Sequence, residues 1–153
     1  MAKITVEAEG AVGAPADFTY RFIADDNHHR HFLPDAITNF KTLEGGIGRG
    51  TVHSFTLTAG KRVRDYTMRV DEPEPGVITE TDENSSLVTR FHVTQDGDAS
   101  RVRITTEWDG AGGVGGFFER TFAPKVLKEI YAEELMKLDR YATNIIAAQQ
   151  WSK

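Results

Sequence analysis

Residues 122–148 read FAPKVLKEIYAEELMKLDRYATNIIAA, and the spacing of their apolar side chains decides the fold. Val126 and Ile130, then Leu127, Tyr131, Leu135, Leu138, Tyr141, Ala142 and Ile145, recur at helical intervals, and Phe118 and Phe122 carry the series upstream. That recurrence predicts one long amphipathic helix. Running from roughly Gly115 to Ala148, it would be about 50 Å long, enough to cross a whole sheet. Pro124 falls inside that range and removes one hydrogen bond, so a kink or a broken first turn is expected there.

A helix with one greasy face needs a surface to lie on, and the preceding residues supply it. Ile4, Val6, Ala8 and Val12 share one parity against Thr5, Glu7 and Glu9, which is the signature of a half-buried strand. Pro15 then opens a short amphipathic helix carrying Phe18, Phe22 and Ile23, and Pro34 ends any helical turn in the stretch NHHRHFLPDA. From about residue 36 to 109 turn signals punctuate successive strands: Gly45-Gly46 with Gly48 and Gly50, Ala59-Gly60, PEPG, Glu83-Asn84-Ser85 and Asp96-Gly97-Asp98. Strands so closely spaced are antiparallel neighbours. Tyr66, Met68 and Val70 share one side, as do Leu87, Thr89, Phe91 and Val93, and Val102, Ile104, Thr106 and Trp108; one face is wet and the other covered.

The stretch GAGGVGG, Gly110 to Gly116, joins the last strand to the helix and contains G-x-G-x-x-G. A dinucleotide fingerprint requires a further parallel strand after the helix, and here the helix runs almost to Lys153. The glycines are read instead as a connector that swings the helix back across the concave face.

Composition narrows the function classes. At 153 residues, 39% hydrophobic and 27% charged, the chain is expected to form a single globular domain over 1–153. No apolar run reaches the ~18 residues of a membrane span, so no stable membrane insertion is expected. The N-terminus lacks an apolar signal core, so a cytoplasmic location is expected. The absence of cysteine removes disulfides and thiolate chemistry. The net charge of −5, with dispersed basic residues, argues against nucleic acid as a partner. The chain is expected as a monomer or homodimer, with no cofactor.

The covered parity carries Phe55, Tyr66, Met68, Phe91 and Trp108, faced by Phe118, Phe122 and Val126 from the helix. Most such aromatic stripes are plain core. Polar residues on the same parity are more informative: His53, Arg62, Arg64, Thr89 and Thr106 point inward near strand ends. A buried arginine asks for a carboxylate or an anionic ligand group, so Arg64 is a ligand contact, half of an ordinary ion pair, or simply exposed at the hairpin tip. The run DDNHHRH places Asp25/His28 and Asp26/His29 three apart, on common helical faces. Histidine with carboxylate suits zinc or iron, but no second cluster completes the coordination, and no metal is expected. The run is read as a solvated turn at a cavity rim, with His31 and Phe32 beside it.

The element order resembles the helix-grip fold of the START-related SRPBCC superfamily, particularly its polyketide cyclase/dehydrase branch. The likeness rests on VGAPADFTYRFIADD, HFLPDAITNFKTLEGG, GRGT, VDEPEPGVI and FAPKVLKEIYAEELMKLDRYA; Phe32 stands where many members carry tryptophan. What the resemblance implies is an α+β fold, a curved antiparallel β-sheet wrapped around one long C-terminal α-helix with two short helices after the first strand. It also implies a cavity between sheet and helix that binds lipids, polyketides or other bulky apolar molecules.

Three functions follow as expectations. The first is binding or transport of a small-to-medium hydrophobic ligand, touched by Phe32, His53, Phe55, Arg64, Tyr66, Met68, Thr89, Phe91, Thr106, Trp108, Phe118, Phe122 and Val126. The second is a polyketide cyclase or dehydratase in the same cavity, with His53 as base, Tyr66 as acid or donor and Arg64 as oxyanion partner; the covered parity is read as offering no carboxylate pair. The third is a protein-interaction or stress-cofactor module, a role some superfamily members serve.

Overall fold

The computed structural model describes residues 3–109 and 122–151. Strand β1 (Lys3–Val12) leads into helices α1 (Ala16–Ala24) and α2 (Asp26–His29). Six strands follow: β2 (Ile37–Glu44), β3 (Val52–Ala59), β4 (Arg62–Glu74), β5 (Val77–Asp82), β6 (Val88–Asp96) and β7 (Ala99–Asp109). Helix α3 (Pro124–Trp151) comes last. The strands form one sheet of seven in the order β1-β7-β6-β5-β4-β3-β2, antiparallel at every junction. This is the helix-grip architecture expected from the sequence, with the meander of six and the first strand returned beside the last.

Alternation explains which face is covered. Val6, Ala8 and Val12 of β1, Tyr66, Met68 and Val70 of β4, Thr89, Phe91 and Val93 of β6, and Val102, Ile104, Thr106 and Trp108 of β7 are all buried, while their alternate neighbours are half-buried or exposed. The outward face is laced by charge pairs such as Arg101 with Glu9 and Arg103 with Glu7, which are exposed and contribute little. Helix α3 closes the inner face with Leu127, Ile130, Leu135, Leu138 and Ala142. It comes close to β1 because Gly10 has no side chain: a Cβ there would sit 3.4 Å from Cβ of Leu135.

The helix starts at Pro124, so proline takes the first helical position, where its missing N–H is one of the donors that go unpaired anyway. A helix start at Pro124 thus stands where a kink or a broken first turn was expected from the sequence, and 28 residues give about 42 Å of length. The glycine run Gly110–Gly116 and Phe118 lie outside the described residues.

Helices α1 and α2 plug one end of the sheet. Phe22 and Ile23 of α1 join the core under α3. The junction between the two helices is held by the loop after β2: the amide of Asp26 donates to the carbonyl of Gly46 at 2.8 Å and that of Gly48 to the carbonyl of Ala24 at 3.0 Å. Both glycines sit at positive φ, 140° and 65°, which lets the loop fold back onto the junction. From the other side Lys137 of α3 donates to the Leu33 carbonyl at 3.2 Å and pairs with Asp35 at 2.6 Å.

Candidate functional site

The space between sheet and α3 is a narrow cavity with about 50 Å³ of free volume. By that measure it holds about three or four waters, well short of the several hundred Å³ common in ligand pockets. Leu57, Met68, Leu87, Phe91, Leu127 and Ile130 make its apolar wall, and a second set of lining residues is polar: His29, His53, Tyr66, Glu80, Thr89, Tyr131 and Glu134.

The polar set is built around His53 on β3. Its Nδ1 faces both carboxylate oxygens of Asp26, at 3.1 and 3.3 Å, and its Nε2 lies 3.5 Å from Oε1 of Glu80 on β5. Burial works against the imidazolium, but the charge of Glu80 and the hydrogen bond that His53 donates to Asp26 prevail and push the His53 pKa up to about 10. Burial likewise works against the two carboxylates, and His53 overrides it, holding Asp26 and Glu80 below their ordinary range. Thr42 adds a hydroxyl donor to Asp26 Oδ2 at 2.8 Å. The result is a histidinium clamped between two carboxylates.

A second pair stands beside the first. His29 directs Nδ1 at the Ile23 carbonyl, 2.9 Å away, and Nε2 at Oε2 of Glu134 on α3, 3.3 Å away. Burial opposes its charge as well, and Glu134 outweighs burial, so the His29 pKa is raised. With Nδ1 bonded to a carbonyl, that nitrogen must carry the proton.

The Thr89 and Thr106 hydroxyls lie 2.8 Å apart, and Thr106 meets the Tyr131 hydroxyl at 2.6 Å. Burial raises the Tyr131 pKa. Tyr66 differs: its hydroxyl is buried and has no hydrogen-bond partner among the described residues. Burial pushes its pKa up to about 12, with the nearby charges of Arg64 and Asp82 acting in opposite directions, so at neutral pH it is a phenol with a donor to spare.

Six of the residues expected from the sequence line this cavity: His53, Phe55, Tyr66, Met68, Thr89 and Phe91. Thr106 reaches it through Tyr131. Trp108, Phe122 and Val126 pack in the hydrophobic cluster around Tyr66, Met68 and Leu87, outside the lining set. Phe32 is fully buried, stacked on His29 with ring centroids 4.8 Å apart, and is core in the cluster under α3. Arg64 finds its carboxylate within the chain, 3.8 Å from buried Asp82, and its guanidinium lies 5.0 Å from the centre of the Tyr66 ring. Arg62 is exposed.

Three readings of the sequence are corrected here. The run DDNHHRH is not wholly solvated, because Asp26 and His29 are each 3% exposed. Their spacing of three does put them on one face of α2, and that face points inward. The covered parity also does contain a carboxylate pair, Glu80 and Asp82, on the inward side of β5 opposite Val70 and Met68. The base role for His53 fails with them, since both its nitrogens face carboxylates and its proton is held. Glu134 was missed as well, although it lies four residues from both Ile130 and Leu138 on the buried stripe of α3. Among the described residues no three histidine or acidic side chains are arranged to hold a metal ion, and no helix is long and apolar enough to cross a membrane.

Comparison with known proteins places this geometry. Residues 1–143 match the family described as polyketide cyclase / dehydrase and lipid transport. The solution structure of KanY (ms6282) is 35% identical, with a TM-score of 0.83, and the alignment covers 94% of this chain and 99% of that one. The Zhui aromatase/cyclase of Streptomyces sp. R1128 shares the fold at 20% identity and a TM-score of 0.70, over 95% of this chain and 96% of that one. Norcoclaurine synthase of Thalictrum flavum does so at 16% identity and a TM-score of 0.64, over 91% and 86%. No curated protein matches the chain by sequence. An inner cavity between a seven-stranded grip and one terminal helix, with a sequence match across nearly the whole length, shows that the chain belongs to the polyketide cyclase / dehydrase and lipid transport family.

Proposed function

We propose that the protein binds a hydrophobic molecule in the cavity between sheet and α3, its apolar part against Leu57, Met68, Leu87 and Ile130 and a polar group at the end marked by His53 and Tyr66. The observation that carries this reading is the Tyr66 hydroxyl, buried and unpartnered in a largely apolar wall. A buried hydroxyl without a partner costs about 1–3 kcal/mol, and a ligand group that hydrogen-bonds to it, accepting from its O–H or donating to its oxygen, recovers that cost on binding. The binding energy comes chiefly from desolvating apolar surface, and Tyr66 fixes orientation. Because the free volume is only about 50 Å³, a guest larger than a few waters enters by pushing the lining side chains outward.

Native mass spectrometry of the freshly purified protein tests the reading: a copurified molecule is expected as a discrete added mass that denaturation releases. The Tyr66→Phe variant tests its chemistry. Removing an unsatisfied hydroxyl leaves the empty protein equally stable or up to about 1 kcal/mol more stable, while ligand affinity falls about fivefold or more. A variant that loses stability but keeps affinity sinks the assignment.

A second reading, cyclisation or dehydration in the same cavity, is favoured by the buried, unpartnered Tyr66 hydroxyl. In that chemistry Tyr66 is the proton donor to a developing oxyanion, while His53, its nitrogens directed at Asp26 and Glu80, holds the wall in place. Turnover of a polyketone by the native chain, abolished in Tyr66→Phe, would select it over simple binding.

A further inference from the structure

Acidic and basic groups at the polar end of the cavity are unequal in number. Asp26, Glu80 and Glu134 bring three carboxyl groups to two histidines, His29 and His53. Acidic side chains outnumber basic ones by one in a cluster whose members are all less than a tenth exposed. The Arg64–Asp82 pair is neutral in itself, and the charges that bear most on Glu80 are those of His53, His29 and Asp26.

Donors and acceptors are unbalanced in the same sense. The two imidazolium groups direct their N–H bonds at Asp26, Glu80, Glu134 and the Ile23 carbonyl. An ionised carboxylate can accept about four hydrogen bonds. Glu80 and Glu134, both on the cavity wall, therefore face it with acceptor capacity beyond what one histidine each uses. A ligand head that brings positive charge and several N–H donors complements this end; an anionic head would add to the acidic excess. The free space, about 50 Å³, is small, so a thin linear chain has to displace fewer lining side chains than a broad ring system.

We infer that the ligand of this cavity is a primary amine on a slender apolar chain, its ammonium group at Glu80 and Glu134 and its hydrocarbon along Leu57, Met68, Leu87, Leu127 and Ile130. The inference rests on the binding reading above and specifies the head group. It reverses the acidic head that an inward Arg64 suggested from sequence, because Asp82 already answers Arg64.

Isothermal titration of the full chain at neutral pH with octylamine, octanol and octanoate tests it. The amine is expected to bind about tenfold more tightly than the alcohol, and octanoate more weakly than either. Binding of octanol or octanoate as tight as that of octylamine overturns the amine assignment and leaves the cavity reading standing. If none of the three binds, both fall. In Glu80→Gln, and separately in Glu134→Gln, octylamine affinity is expected to drop about tenfold with less than a twofold change for octanol. Equal losses for amine and alcohol in both variants would mean that the carboxylates only support the wall, and would overturn the inference.

Discussion

Replacing His53 with leucine lowers stability at pH 7 by about 3–5 kcal/mol and inverts its response to acid. The size follows from what the imidazolium leaves behind: Asp26 and Glu80 remain buried without a counter-charge, and breaking one member out of a buried ionic cluster typically costs that much. The sign of the pH response follows from linkage. In the native protein Asp26 and Glu80 titrate below their unfolded values of 3.8 and 4.5, so their contribution is present above those values and is lost as pH falls through the lower folded ones. His53 is raised from 6.5 to about 10, so its contribution is complete below 6.5 and is lost as pH rises towards 10. Between about pH 5 and pH 6.5 the native cluster is therefore at its strongest. In the variant the two carboxylates are held by burial and by each other, both of which favour the protonated form. Folding then takes up protons, so as pH falls from about 5 to 4 the cluster of the variant gains stability while that of the native protein, whose carboxylates titrate below their unfolded values, loses it. Urea midpoints of both proteins across that range measure the difference; parallel curves would mean that His53 is not the counter-charge of the cluster.

Phe32→Ala is expected to cost about 3–5 kcal/mol, the range for removing a fully enclosed phenyl ring. Phe32 is 0% exposed, stacks on His29 and leans on Tyr141 with centroids 5.7 Å apart. The ring is held in the core cluster between His29 of α2 and Tyr141 of α3, so its removal leaves a gap bounded by helical residues. For a domain of this size the loss appears as a fall of about 10 °C or more in thermal midpoint. Met136→Ala, at a position 54% exposed on the outer side of α3, serves as the reference and should change stability by no more than about 0.5 kcal/mol. A loss at Phe32 below about 1 kcal/mol would return that residue to the cavity wall, where the sequence alone had put it.

The contrast between Phe32 and Glu80 shows what was legible before the structure. Strand parity is a local property, and the inward residues of β4, β6 and β7 could be read from alternation because each strand carries several apolar residues on one side. Strand β5 is short, and its inward row is Ile78, Glu80, Asp82, so hydrophobicity alone marks one position of three. Only the pairing of Val70 with Glu80 and Met68 with Asp82 carries the parity across. Glu134 is hidden for a similar reason: it sits beside Glu133 in a charged pair, and Glu133 does face outward, to Lys137 and the Asp35 amide. Asp26 and His29 share a helical face, as their spacing required, but a helix of four residues has no apolar stripe to say which face is inside. In each case a buried charge looks like a surface charge until its partner, more than 25 residues away, is known.

The position of β1 bears on how the chain reaches this state. Its sheet partner is β7, with Lys3 opposite Asp109 and Val12 opposite Ser100, so the first of the seven strands to be synthesised waits for the last. Hairpins from β2 onward can zip up in the order of synthesis, while the N-terminal segment stays a loose end until β7 emerges. Joining points so remote in sequence is entropically slow, and assembly of this molecule should be paced by that final closure.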